Sequence, residues 1–228
     1  MQADLSPFED LHPSGATYRQ GFLRNGQLHG LLREFDPDGV CRLMANFENG
    51  LLSGLTQIFD PKGILIQKCH YQSGMPHGEM SVYAQGKCVL KQIFSAGKAS
   101  GVCTSFDAAG NISNQVNFLN GEIEGPALFY SEGKVVRKSI YKNGLLDGLS
   151  VDYDRNGKIT QTSQYVNNVL HGPLTRFWPD GKVMEAYQYK NGIPLESPKR
   201  FDPTGKEIDS ENSQASILNR LEAMVRGK

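Results

Sequence analysis

A chain of 228 residues, 39% of them apolar, with 24 basic residues against 24 acidic ones, suits one or two folded domains and is unlike a disordered chain. The formal charge of zero removes the electrostatic case for a nucleic-acid partner, which needs a basic face to displace counterions from phosphates. No apolar run reaches the roughly 18 residues that a membrane-spanning helix requires.

The opening stretch, MQADLSPFEDLHPSG, has neither the basic nor the apolar region of an export signal. Residues 1–14 are therefore expected to form an arm, and the protein to be cytoplasmic. From residue 15 to 208 a repeat takes over. Glycines that open a turn fall at Gly26, Gly50, Gly74, Gly97, Gly121, Gly144 and Gly192, with Asn168 in the seventh place, at steps of 24, 24, 23, 24, 23, 24 and 24. After Gly, Asn best tolerates a positive φ, so the turn at Asn168 is expected to survive. A second glycine follows four residues after each of the first seven positions, from Gly30 to Gly172, and Glu196 stands there in the eighth unit. A third closes the other turn, from Gly39 to Gly205.

Aromatics keep the same beat. One column holds Phe47, Tyr71, Phe94, Phe118, Tyr141, Tyr165 and Tyr189, and a second runs from Phe35 to Phe201. Between turns lie about 6 to 8 residues rich in Val, Ile, Thr, Phe and Tyr, which is strand length and strand composition. Asn-Gly and Asp-Gly steps favour hairpins, so neighbouring strands are expected to be antiparallel. The predicted fold is mainly β: an elongated, twisted antiparallel β-meander of about eight β-hairpin repeats with a C-terminal α-helix. That helix is read from residues 209–228, where Ile217, Leu218, Leu221, Met224 and Val225 recur at helical spacing and the glycine beat stops. Its apolar stripe is expected to pack on the sheet or its last edge.

The segments YKNGLLDGLSVDYDRNGK, FENGLLSGLTQIFDPKG and YVNNVLHGPLTRFWPDGK resemble the bacterial MORN-repeat variant, and the similarity spans residues 15 to 208. The resemblance implies a protein-binding repeat protein without catalytic activity. More narrowly, it implies an immunity protein or antitoxin that binds and neutralises a cognate toxin or secreted effector. A scaffold for envelope or cytoskeletal assembly is the alternative it allows. A carbohydrate or choline module built of hairpins fits less well, because such modules depend on many tryptophans and this chain has one.

The residues point to no catalytic constellation, cofactor or metal. GxSxG, Walker and HExxH motifs are absent, and the four cysteines form no CxxC pair. His29, His77 and His171 share one repeat position but lie whole repeats apart, too far for one metal, and read as solvated turn residues. Rings that obey the period read as packing between strands. Those that break it are the candidate partner-binding residues. Trp178 stands where Asp36, Asp60, Asp107, Asp154 and Asp202 occur in other units. Arg176, two positions earlier, is expected on the same face. Tyr187 and Phe129 are extra aromatics.

Overall fold

The computed structural model describes residues 4–208, and every regular element among them is a β-strand. The helix expected within residues 209–228 lies outside the described residues. Two compact units divide the chain, Met1–Glu122 and Ile123–Lys228. Within each, successive strands pair antiparallel in chain order, as the hairpin turns predict.

The two turns of a repeat are built differently. At the first, both central residues have positive φ, as in Asn143 (49°) and Gly144 (78°), which is the two-residue turn whose twist matches the strands. Asn168 adopts φ 67° in the glycine position. It also does what glycine cannot, since its Oδ1 accepts the Leu146 N–H at 2.7 Å. The other turn is usually a three-residue loop ending in a glycine at positive φ. In Asp154–Lys158 the N–H of Asp154 donates to the Lys158 carbonyl, and Gly157 N–H donates to that of Asp154. The Asp154 carboxylate then accepts the N–H groups of Asn156 and Lys158, both at 2.8 Å. Asp36, Asp60, Asp107 and Asp202 make the same pair of bonds.

Three units lack that aspartate, with Ala84, Ser131 and Trp178 in its place. At Ala84 and Ser131 the loop shortens to two residues, with Gln85 (51°) and Glu132 (52°) at positive φ ahead of glycine. This accounts for the two 23-residue steps, because each of these loops is one residue shorter and keeps its glycine.

Backbone amides that hold a carboxylate keep it ionised. The carboxyls of Asp107, Asp154 and Asp202 lie below the ordinary aspartate range, the first two chiefly through backbone N–H donors and Asp202 first through the Thr204 hydroxyl. A carboxyl depressed in the folded state contributes stability that is present above its unfolded pKa and is lost as pH falls through the folded one. Melting temperature should thus be flat well above about pH 4, the unfolded aspartate range, and drop below it. A melting temperature unchanged on acidification to about pH 2.5, below that range, would show that these turns do not carry the stability assigned to them.

Repeats are tied to one another at both edges. Along the first-turn edge, Gly74 N–H donates to the Leu52 carbonyl and Gly192 N–H to that of Leu170, each at 2.8 Å and one repeat back. Side chains just before the second glycine reinforce this edge. Glu124 accepts the Asn143 N–H at 2.8 Å, and the Nδ1 atoms of His77 and His171 face the N–H groups of Ala96 and Asn191 at 3.4 and 3.5 Å. Those histidines serve as turn caps for the following repeat. On the opposite edge the lysine after the third glycine reaches forward: Lys134 to the Arg155 carbonyl, Lys158 to Pro179 and Lys182 to Pro203, at 2.6 to 2.8 Å.

The segment before residue 15 proves to be half a repeat rather than an arm. Leu5–Leu11 pairs with Thr17–Arg24, and Phe8 lies opposite Gly21. The turn after it, His12 to Ala16, has the hydrogen bonds of the Asp154 loop, with His12 in the aspartate place. The sequence hid this because Leu11 replaces the aromatic and Ser6 the second glycine.

Candidate protein-binding face

The periodic aromatics do not pair with one another across strands. Each of the first column stands opposite the second glycine of a repeat: Phe47 against Gly30, Tyr71 against Gly54, Tyr141 against Gly125, Tyr165 against Gly148 and Tyr189 against Gly172. What requires glycine there is the positive φ, 80° at Gly125 and 106° at Gly172, since a Cβ would meet open space or the residue before the preceding aromatic of the column and not a ring. Next to this row runs one of small buried side chains. In the second unit it comprises Ala127, Ser139, Ser150 and Ser163, with the Ser139 and Ser150 hydroxyls 2.6 Å apart.

Beyond the small residues, on the same face of the second unit, lies a charged row. Register places Phe129 opposite Arg137, Arg137 opposite Asp152, Asp152 opposite Gln161, Gln161 opposite Arg176, Arg176 opposite Glu185 and Glu185 opposite Arg200. Arg137 grips Asp152 with two guanidinium nitrogens, the second at 3.1 Å. Arg176 donates to Gln161 at 3.1 Å and to Glu185 at 3.2 Å, and Arg200 donates to the other Glu185 oxygen at 3.1 Å. Burial pushes the Glu185 carboxyl up, but the Tyr187 hydroxyl and the two arginines outweigh it and hold the group below the usual glutamate range. The side chains of Arg176 and Arg200 remain 47% and 49% exposed, so each offers donors to a partner.

The architecture does not require this charge. In the first unit the same register row opens charged, with Asp10, Arg19 and Glu34 and an ion pair between the first two, and only then turns largely apolar through Leu43, Ile58, Gln67, Val82 and Leu90. In the second unit arginines and acceptors alternate along its whole length.

Of the four residues singled out by sequence, three gather here. Phe129 and Arg176 are members of the row, and Tyr187 is beside it, its ring 5.8 Å from that of Tyr189 and its hydroxyl on Glu185. Trp178 is placed differently. A bulge between Arg176 and Phe177 interrupts the alternation expected to align Trp178 with Arg176, and Trp178 lies past the strand end. Its half-buried indole donates to the Phe201 carbonyl at 3.1 Å. His12, the other ring in an aspartate place, meets the Phe35 carbonyl at 2.9 Å, also 23 residues ahead. Both rings stack one repeat on the next. Lys182 N–H, deprived of an acceptor at position 178, bonds Asp180 at 3.1 Å instead. Arg137, Asp152, Glu185 and Arg200 were missed by the sequence reading, since none breaks the repeat pattern.

The class these features define is a β-hairpin repeat protein whose second unit bears an arginine-rich face. The MORN repeat variant family matches two stretches of that unit, residues 146–167 and 170–191. No curated protein is significantly similar to the chain. Among solved structures, a mutant of S. aureus TarM in complex with fondaparinux, alpha-GlcNAc-glycerol and UDP is similar at 12% identity, and another crystal structure of TarM at 13%. Each likeness covers 47% of this chain and 21% of the other, with a TM-score of 0.33, too slight to bear on fold or function. The chain spans about a fifth of the length of those proteins, 21%.

Proposed function

We propose that this is a protein-binding repeat protein of the immunity or antitoxin kind, which neutralises a toxin or effector by covering a surface it needs. The observation that carries the reading is the charged row of the second unit, where three arginines and flanking aromatics stand on a rigid sheet at a register that in the first unit holds one arginine, Arg19. Binding energy at protein interfaces concentrates in arginine and aromatic side chains held in place before the partner arrives. The hydrogen bonds to Asp152, Gln161 and Glu185 do that holding. The resemblance of the repeats to bacterial antitoxin and immunity proteins supports the same assignment. No metal, nucleotide or covalent step enters it.

Co-expression with the product of the neighbouring gene tests the reading. The parent should rescue growth and bind the toxin, whereas Arg176→Ala combined with Arg200→Ala should weaken binding at least about tenfold, or roughly 1.4 kcal/mol. Far-ultraviolet circular dichroism of the variant should match the parent. A neighbouring product that is harmless, or one that the parent neither binds nor counteracts, ends the immunity reading and puts an envelope or cytoskeletal scaffold in its place.

A further inference from the structure

We infer that a cavity on the opposite face of the second unit binds an anionic group, phosphate monoester or carboxylate, carried on an aromatic or apolar body. The cavity, about 500 Å³, has Leu128, Val135 and Tyr153 as its apolar lining and Lys134, Lys138 and Arg155 as its cations. Leu128 and Lys138 are direct partners across two strands, and Lys138 neighbours Arg137, which places it on the face away from the charged row. Three positive charges and no carboxylate line the space. Lys134 spends one N–H on the Arg155 carbonyl. Arg155 meets Glu132 at 3.6 Å, a pair with 84% and 73% exposed side chains and so little mutual hold. Lys138 has no ion pair among the described residues. An aromatic wall beside cations, one free of any ion pair and one only weakly held, is the chemistry that takes an anion with a ring or alkyl group attached.

The neighbouring repeat provides an internal control. A similar cavity of about 340 Å³ occurs 24 residues later, lined by Lys158, Ile159, Phe177, Asp180 and Gly181 in the places of Lys134, Val135, Tyr153, Asn156 and Gly157. There the lining carries one lysine and one aspartate, and Asp180 pairs with Lys182 at 3.4 Å. Lys138 and Arg155 correspond to Thr162 and Pro179. Arg155 is itself an exception, since Pro37, Pro61, Pro179 and Pro203 follow the first loop position in four other units. The concavity thus comes with the repeat, while the positive charge belongs to this one.

Calorimetric titration of the full chain with phenyl phosphate, phenylacetate and benzyl alcohol tests the assignment, alongside the double variant Lys138→Thr/Arg155→Pro. That variant gives the cavity residues already tolerated one repeat on, so its melting temperature should match the parent. At least one of the two anions should bind the parent with a Kd of about 1 mM or tighter, and benzyl alcohol at least about tenfold more weakly. Whichever of the two anions binds more tightly identifies the charged group. The double variant should lose at least about tenfold in affinity for it. If the double variant fails to fold, Lys138→Gln, which removes one charge at nearly constant size, should still lose affinity. The inference is overturned if neither anion saturates by about 10 mM, if benzyl alcohol binds as well, or if the folded variant binds like the parent.

Discussion

Replacing Gly148 with valine should destabilise the second unit by about 3 kcal/mol or more. Two independent costs meet at this residue. Its φ is +130°, a conformation that a β-branched side chain resists by roughly 1–3 kcal/mol. A Cβ there would also lie 3.0 Å from the Cβ of Ile140 and 3.2 Å from its Cγ2, close enough to force a shift in the paired strand. Overpacking of that kind costs roughly 1–3 kcal/mol more. Gly157→Ala separates the two terms, because φ there is +80° and nothing lies within 4 Å of the added Cβ. It should cost only about 1–2 kcal/mol, the penalty of a left-handed backbone. Urea unfolding followed by circular dichroism measures both, and equal losses would mean that the contact with Ile140 is not the cause.

Glu185→Ala should cost about 1–2 kcal/mol at neutral pH, less than the loss of a fully buried charge. The carboxylate is shared by Arg176 and Arg200 and is only 11% exposed, so its removal leaves the guanidinium groups of the two flanking strands without their common acceptor. Water reaches both arginines, which limits the damage. Because the folded carboxyl lies below the usual glutamate range, its contribution is present above about pH 4.3, the unfolded value, and fades as pH falls through the folded one. The difference between parent and variant should therefore shrink at about pH 3, below the unfolded glutamate value. A gap of the same size there would point to lost packing rather than lost charge. Loss of toxin binding in the same variant would tie the row's geometry to the proposed function.

Local chemistry made the repeat legible. Asn-Gly steps demand positive φ at two successive positions, and the structure supplies it at Asn49–Gly50, Asn143–Gly144 and Asn191–Gly192. Such a turn admits only a hairpin, so strand existence, order and antiparallel sense follow from residues adjacent in the chain. Even the 23-residue steps are written locally, in the loss of one loop residue where Ala84 and Ser131 replace aspartate. Trp178 was legible as an exception, yet its role depended on a carbonyl 23 residues away.

The charged row is a tertiary property. Its members alternate between two columns of the repeat, at chain separations of 15, 9, 15, 9 and 15 residues from Arg137 through Asp152, Gln161, Arg176 and Glu185 to Arg200. Apart from Arg176 and Arg200, the residue types within either column differ, so a search at a period of 24 passes over most of them. What joins them is register, and the bulges near the second turn, as between Asp152 and Tyr153 and between Arg176 and Phe177, shift it by one residue. A one-residue shift moves every side chain to the other face of its strand. The sequence by itself determined which strands exist and which neighbour each one meets. Only the folded sheet decided which side chains share a face, because that depends on bulges whose position no single repeat reveals.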